Sequence, residues 1–127
     1  MSEEETAKQV KTYRDLNVWQ KAMSLVTGIY ANTKTFPKEE MFGLVLQMRR
    51  CAISIPSNIA EGYGRRSRDD YARFLQIAMS SIFELQTQME IALNLGFLGR
   101  DQYASSYEAS REIERMLSSL IRRVRCS

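Results

Sequence analysis

The side chains that usually carry enzyme chemistry are scarce in this sequence of 127 residues. It contains no histidine, which excludes a histidine general base, a nucleophile activated by histidine and the Glu-x-x-His pairs of di-iron bundles. Two cysteines without histidine cannot form an ordinary structural zinc site. No Walker loop is present, and Gly62-Tyr63-Gly64 follows a predicted helix instead of a strand. These features argue against catalysis.

Carboxylates are the remaining candidates for catalysis or metal binding. Glu61, Glu84, Glu90 and Glu108 are spread along predicted helices, and no cluster of Asp and Glu indicates a magnesium site. Glutamates on helices are usually solvated surface groups. We therefore predict a protein that is not an enzyme, with no catalytic residue, no metal and no cofactor. An enzyme that uses carboxylates and a metal is the weakest alternative.

The cysteines and the first residues bear on localisation. Cys51 and Cys126 follow no disulfide pattern, which is typical of reduced thiols that pack as small side chains in a cytosolic protein. Residues 1–5 are polar and acidic, unlike the basic and then apolar start of a signal peptide. No segment approaches the roughly 20 apolar residues of a membrane helix. The sequence predicts a cytoplasmic protein that does not bind membranes.

Composition and periodicity predict a small all-α domain. Hydrophobic residues make up 44% and charged residues 26%, with only 2 prolines and 6 glycines, which suits one soluble domain with long helices. Residues 1–12 lack an apolar period, so we predict a disordered lead-in there and a single domain over residues 13–127. Four amphipathic segments with short connections predict an antiparallel up-down four-helix bundle.

The segments carry their own start and stop signals. The first is predicted to begin at Asn17, and the second to begin near Pro37, to bend at Pro56 and to end at the following glycines. Ser67 is the predicted cap of the third, and the fourth follows from about Asp101. The predicted inward residues are Trp19, Ala22, Met23, Val26, Ile29, Tyr30 and Thr33; then Met41, Leu44, Val45, Met48, Ala52, Ile55 and Ile59; then Tyr71, Phe74, Leu75, Ala78, Ile82, Leu85, Met89, Ala92 and Leu93; and last Tyr103, Tyr107, Ile113, Leu117, Leu120 and Val124.

A second, polar stripe runs along the predicted second helix. Its members are Gln47, Arg50, Ser54, Ser57, Asn58 and Glu61. Such a stripe is usually a solvated face, but small residues also permit the close approach of another helix. Ile77 and Ile91 of the third helix lie off its predicted core face, which makes self-association plausible. We predict an oligomer interface formed by Arg50, Ser54, Asn58, Glu61 and Ile77.

Arginines concentrate around the turn between the second and third helices. Residues 49–73 contain six arginines and three carboxylates. Arginine at a helix N-terminus is suited to phosphate, because free backbone N–H groups and the helix dipole also favour an anion there. The predicted nucleic-acid-binding residues are Arg65, Arg66, Arg68, Arg73 and Arg49. Alternatively, these arginines only solubilise the turn. Arg122, Arg123 and Arg125 form a second basic group, which the dipole of the last helix would explain by itself.

Several stretches form longer motifs. They are Leu16-Asn17-Val18-Trp19-Gln20-Lys21-Ala22, Phe36-Pro37, the segment from Gln47 to Gly62 (QMRRCAISIPSNIAEG), Phe74-Leu75-Gln76-Ile77-Ala78 and Glu84-Leu85. These motifs resemble the bacterial four-helix-bundle family encoded by intervening sequences of 23S ribosomal RNA genes, from about Tyr13 to Leu98. The chain is also similar to the accessory protein of diversity-generating retroelements. The resemblance implies a ring-like homo-oligomer, with a pentamer favoured, and RNA or DNA as a partner.

These observations lead to two hypotheses. The first is a non-enzymatic oligomer that binds RNA or DNA with weak specificity through its basic surface. The second is a structural or adaptor oligomer that binds another protein and has no role with nucleic acid. Neither hypothesis requires a small-molecule substrate.

Overall fold

The computed structural model describes residues 9–126, which form four long α-helices. Helix α1 spans Asn17–Thr33, α2 spans Leu44–Tyr63, α3 spans Arg68–Asn94 and α4 spans Arg100–Cys126. Two single 3-10 turns, Tyr13–Asp15 and Lys38–Glu40, precede α1 and α2, and residues 9–126 contain no β-strand. The predicted all-α four-helix bundle is confirmed. None of the helices in this part of the chain is long and apolar enough to cross a membrane.

Contacts between helices give the direction in which they pass one another. On α1 and α4, Lys21 Nζ lies 3.4 Å from Glu112 Oε1. Eleven residues further along α1, Asn32 Nδ2 donates to Ser106 Oγ at 3.0 Å. A later residue of α1 therefore meets an earlier residue of α4, so the two helices run in opposite directions.

The core lies between the four helices, and α3 contributes more of its central side chains than any other helix. The large side chains with less than 2% exposure are Ile29, Met48, Ile55, Ile59, Leu75, Ile82, Leu85, Met89, Ile113 and Leu117. Burying one such side chain contributes about 1.5–3 kcal/mol. Leu75, Ile82 and Met89 belong to the face predicted for α3, and Ile113 and Leu117 to the face predicted for α4.

Helix ends follow the local signals on both sides of α3. Ser67 Oγ accepts a hydrogen bond from the Asp70 amide at 3.1 Å and caps the first turn, as predicted. Helix α2 ends at Tyr63, and Gly64 is its C-cap residue. Gly96 has a φ of 79° in the turn before α4, a conformation that favours glycine.

The predicted start of the second helix is wrong. Lys38–Glu40 forms a separate 3-10 turn, and α2 begins only at Leu44, after a non-helical Gly43 with φ −105° and ψ −111°. The Glu40 carboxylate accepts from the Leu44 amide at 3.2 Å and so satisfies one of the free N–H groups of α2. Met41, predicted to face the core, lies in this connection and is 54% exposed.

The buried face of α1 is rotated from the predicted one. Met23 and Tyr30 were predicted to point inward but are 43% and 36% exposed, whereas Val18 and Leu25 are buried. Apolar residues lie on both sides of this helix, so their period is compatible with either face. Packing against both α2 and α4 selects the face that carries Ala22, Leu25 and Ile29.

Two further predictions concern Pro56 and the N-terminal lead-in. Pro56 is buried inside α2, and the helix continues through it to Tyr63; the bend at this residue stays a prediction. Of the lead-in predicted over residues 1–12, residues 1–8 lie outside the described part. The amides of Lys11 and Thr12 donate to Asp15 Oδ2 at 2.9 and 3.1 Å, within the cap of the first 3-10 turn.

Candidate nucleic-acid interface

The turn between α2 and α3 is tight because α2 ends directly against α3. A Cβ at Gly62 would lie 2.8 Å from Phe74 Cβ and 3.1 Å from Tyr71 Cδ1. Glycine alone permits this approach without a shift of α3. The Arg65 amide then donates to Gly62 O at 3.0 Å, and the chain reverses within the next three residues.

Two of the predicted binding residues, Arg65 and Arg73, enclose the ring of Phe74. Their guanidinium carbons lie 4.5 and 4.7 Å from the ring centroid, and the Phe74 side chain is buried. Arg65 also lies 3.4 Å from Glu61, and Arg73 lies 3.1 Å from Asp70. Both ion pairs are exposed and therefore contribute little stability, roughly 0–1 kcal/mol each. These two arginines are held in place and partly neutralised.

Arg66 and Arg68 are in a different situation. Both are exposed and flank Ser67, the cap of α3. Neither forms an ion pair with any residue between 9 and 126. Their charges therefore stand beside free N–H groups of the first turn of α3, which is the arrangement that favours a bound anion.

Arg49 does not share a surface with the other four predicted residues. Its Nε donates to Thr33 Oγ1 at 3.0 Å, and its guanidinium lies 4.4 Å from the centroid of the Tyr30 ring. Arg49 precedes Arg65 by sixteen residues, about 24 Å at 1.5 Å per helical residue. It links α2 to α1 near the opposite end of the bundle.

The second basic group, at the end of α4, lies at the same end of the bundle as the α2–α3 turn. Its members are Arg122, Arg123 and Arg125. Burial and, to a lesser extent, Tyr63 on α2 raise the pKa of Tyr71 on α3, and the charge of Arg123 on α4 lowers it; the resulting pKa is about 12. The Tyr63 and Tyr71 rings meet edge to face at 6.1 Å. The end of α2 packs against the start of α3. Since α4 follows α3 after only residues 95–99, the end of α4 lies at the same end of the bundle. Periodicity within single helices gives no signal for this proximity, which depends on the direction of the helices.

The predicted oligomer interface lies partly in a contact within the chain. Ser54 Oγ and Ser81 Oγ are 2.8 Å apart, across the seam between α2 and α3. Asn58 Nδ2 donates to Ser54 O at 2.7 Å and to its Oγ at 3.0 Å. Arg50 and Glu61 are exposed on the same side of α2, and Ile77 on α3 is 38% exposed.

Helix α3 also contains a buried amide with one unsatisfied oxygen. Gln88 on α3 is 9% exposed, and its Nε2 donates to Glu84 Oε2 at 3.3 Å. Its buried Oε1 has no hydrogen-bond partner within the described residues. A buried acceptor without a donor typically costs about 1–3 kcal/mol.

Two other features bear on catalysis. No group of three or more Cys, Asp or Glu residues is placed to hold a metal ion within the described ranges. An apolar groove lies between the first 3-10 turn, α1 and α2. Its lining residues are Tyr13, Trp19, Met23, Val26, Ile53, Pro56, Ser57 and Ala60. This lining has no carboxylate, thiol or basic group for acid–base chemistry.

Comparison with known proteins places most of the described chain in one family. The profile of the 23S rRNA-intervening sequence protein family matches residues 14–119, which extends the resemblance into α4. The crystal structure of a protein with unknown function from the S23 ribosomal protein family of Bacteroides thetaiotaomicron VPI-5482 has a TM-score of 0.77 and 29% identity. That similarity covers 83% of this chain and 95% of the other. No curated protein matches this chain significantly. From the motifs, the bundle and the extent of the profile match, the chain belongs to the 23S rRNA-intervening sequence protein family.

Proposed function

We propose that this protein is a non-enzymatic homo-oligomer that binds nucleic acid through the arginines around the α2–α3 turn. The observation that carries the proposal is the position of Arg66 and Arg68. They are exposed, form no ion pair within the described part of the chain and flank the capped start of α3. Arg65 and Arg73 add charge at the edges of this surface.

The proposed contacts are to phosphates. Guanidinium groups bind phosphate oxygens through paired hydrogen bonds, and the N-terminal amides of α3 add donors at the same place. Phosphate contacts hold the nucleic acid but carry little sequence information. We therefore expect weak sequence specificity and a steep dependence of affinity on salt concentration.

The oligomer is proposed to form across the α2–α3 seam. Ile77 and Ile91 are 38% and 44% exposed on α3, and covering them would remove apolar surface from water. The family resemblance favours a pentamer. Arg50, Ser54, Asn58 and Glu61 would line the α2 side of the contact.

Salt titration of nucleic-acid binding tests the proposal. Wild type and the variant Arg65→Gln/Arg66→Gln/Arg68→Gln are titrated onto short RNA and DNA at several salt concentrations. We expect the affinity of wild type to fall steeply as the salt concentration rises. Each lost phosphate contact should reduce the magnitude of the slope of log K against log salt by roughly 0.9, so the variant's slope should be smaller by up to about 3.

The matched control removes the same charge at the other end of the bundle. Lys34, Lys38 and Arg100 are exposed and lie near the end of α1, the second 3-10 turn and the start of α4. Their triple substitution to Gln should leave binding close to wild type. Salt-independent affinity, or an equal loss in both variants, would show that the α2–α3 turn is not the binding surface.

An adaptor function is the second candidate, because one apolar side chain is unusually exposed. Phe42, in the connection before α2, is 85% exposed. Isolated apolar residues are common on surfaces, but a projecting aromatic ring is typical of protein contacts. If purified protein binds neither RNA nor DNA at low salt, this alternative becomes the leading one.

A further inference from the structure

We infer that the three arginines at the end of α4 complete the nucleic-acid-binding surface, and that this surface fits the phosphate backbone of a double-stranded nucleic acid. The inference rests on the proposed function and deepens it. The surface, here called the basic end, comprises residues 61–73 and residues 120–126. Arg122, Arg123 and Arg125 are its contribution from α4.

The direction of the helices brings these two segments together. At the α2–α3 seam, Cys51 lies against Ser81 and Gly62 lies against Phe74. These pairs place the end of α2 beside the start of α3. Between α3 and α4, Gln86 donates to Ser110 Oγ at 3.1 Å.

Tyr71 extends the α3–α4 pairing to the basic end. It lies fifteen residues before Gln86 on α3, and Arg123 lies thirteen residues after Ser110 on α4. The charge of Arg123 lowers the pKa of Tyr71, which is consistent with this placement. Steps of similar length in opposite directions, along two helices of 27 residues joined by residues 95–99, place the end of α4 beside the start of α3. The C-terminal arginines therefore adjoin the α2–α3 turn instead of forming a separate patch.

Charge is strongly asymmetric between the basic end and the rest of the molecule. The basic end contains seven of the 18 Lys and Arg residues but three of the 15 Asp and Glu residues. The remaining chain therefore has eleven basic and twelve acidic side chains, so the whole formal excess of +3 arises at this end. A surface with this concentration of one sign attracts a polyanion and orients it during approach.

The arginines of α4 are available for phosphate. Arg122, Arg123 and Arg125 are exposed, whereas Arg65 and Arg73 are partly neutralised by Glu61 and Asp70. Cations in the last turn also interact favourably with the dipole of α4, but this interaction does not occupy their N–H donors. Five exposed arginines without an ion pair in the described part of the chain thus belong to the basic end: Arg66, Arg68, Arg122, Arg123 and Arg125.

The aromatic residues of the basic end favour a duplex over a single strand. Proteins that bind single strands stack bases on accessible aromatic rings. Tyr63 and Tyr71 are half-buried against each other, and Phe74, which adjoins the basic end, is buried beneath two guanidinium groups. The described residues of this end therefore offer guanidinium groups and no open ring. A duplex presents a dense row of phosphate charges, about one per 1.7 Å of its axis. A surface of guanidinium groups can bind these phosphates without stacking on a base.

The test compares three variants with equal loss of charge. They are the α4 variant (Arg122→Gln/Arg123→Gln/Arg125→Gln), the turn variant (Arg65→Gln/Arg66→Gln/Arg68→Gln) and the control (Lys34→Gln/Lys38→Gln/Arg100→Gln). Binding to a short duplex and to one of its strands is measured by fluorescence anisotropy over a salt series. Circular dichroism verifies that each variant remains folded.

We expect the α4 variant to bind the duplex more weakly than wild type does. The magnitude of its slope of log K against log salt should be smaller by up to about 3. The turn variant should lose a similar amount, the control should resemble wild type, and the duplex should bind more tightly than the single strand. If only the turn variant weakens binding, the inference about α4 fails while the proposed function stands. If no variant differs from the control, the proposed function fails as well. Tighter binding of the single strand would overturn the preference for a duplex.

A label at Cys126 provides a readout that does not depend on affinity. Cys126 lies exposed in the basic end, whereas Cys51 is buried, so a maleimide fluorophore reacts at one site. Addition of duplex should change the fluorescence of this label, and added salt should reverse the change. The matched probe is Cys126→Ser with Lys38→Cys, which should not respond. A response at position 38 but not at 126 would place the duplex at the other end.

Discussion

At the scale of single residues, Cys51 illustrates how burial changes a side chain that has reactive chemistry elsewhere. Its thiol lies at the seam between α2 and α3, and Sγ donates to Ser81 O at 3.0 Å. Burial and, to a lesser extent, the charge of Glu84 raise its pKa, and a hydrogen bond with the Leu85 backbone lowers it; the resulting pKa is about 12. The thiol is therefore neutral and unreactive at neutral pH.

This pKa predicts a loss of stability in alkaline solution. Well below pH 9 the thiol keeps its proton in both the folded and the unfolded chain. Between pH 9 and about 12 the folded chain keeps the proton that the unfolded chain releases. The free energy of unfolding should then fall by up to about 1.4 kcal/mol per pH unit from this group.

Urea unfolding of wild type and Cys51→Ala at about pH 8 and about pH 10 measures the effect. Tyr71, whose pKa is raised to about 12 chiefly by burial, contributes equally to both proteins. Wild type should therefore lose more stability than the variant between the two pH values. Equal losses would mean that the Cys51 thiol ionises in the folded protein as it does in the unfolded one.

Arg49 is a residue whose role could not be predicted from its type and its neighbours in the sequence. Its neighbours in sequence suggest a member of the arginine cluster, but its guanidinium packs over Tyr30 and bonds Thr33. Arginine type and sequence spacing do not distinguish a guanidinium that joins two helices from one that faces solvent. The distinction depends on which face of α2 meets α1.

At the scale of elements, two glycines inside helices have opposite consequences. Gly62 is in the last turn of α2, where a Cβ would lie 2.8 Å from Phe74 Cβ. Gly28 is in the middle of α1, and nothing lies within 4 Å of the position of its Cβ. The first glycine permits the close packing of α2 against α3, whereas the second only lowers the helix propensity of α1.

Alanine substitutions at these positions should therefore change stability in opposite directions. We expect Gly62→Ala to destabilise the protein by about 1–3 kcal/mol, because α3 must shift to relieve the overlap. Gly28→Ala should stabilise it by about 0.5–1 kcal/mol through helix propensity. Chemical unfolding of both variants and wild type measures the differences. A Gly62→Ala variant as stable as wild type would show that the α2–α3 contact relaxes without cost.

At the scale of the whole molecule, the α2–α3 seam predicts self-association. Ile77→Glu places a charge in the proposed contact and should yield particles of lower mass by light scattering. The matched control is Phe83→Glu, which changes an apolar residue of α3 that is 49% exposed on a different side of the helix. Wild type and the control should keep the oligomeric mass, near five times that of one chain. A monomeric wild type, or the same dissociation in both variants, would contradict the proposed interface.

The sequence alone determined the class of the fold and most helix ends. Apolar residues at three- and four-residue steps, the Ser67 cap and the Gly64 end depend on interactions within one or two turns, so a reader of the sequence can locate α3 and the start of α4. Local sequence signals did not locate a helix end where two local structures compete for the same residues. The second helix begins seven residues after Pro37, because a 3-10 turn and Gly43 intervene.

Only the tertiary structure decided which faces and which distant residues meet. Helix α1 has apolar residues on two sides, and packing against α2 and α4 leaves Met23 and Tyr30 exposed. The arginines of the α2–α3 turn and of α4 are more than fifty residues apart in sequence, yet they share one end of the bundle. The physical reason is that the local period fixes neither the rotation of a helix nor its neighbours. Those follow from how all four helices bury their apolar surface together.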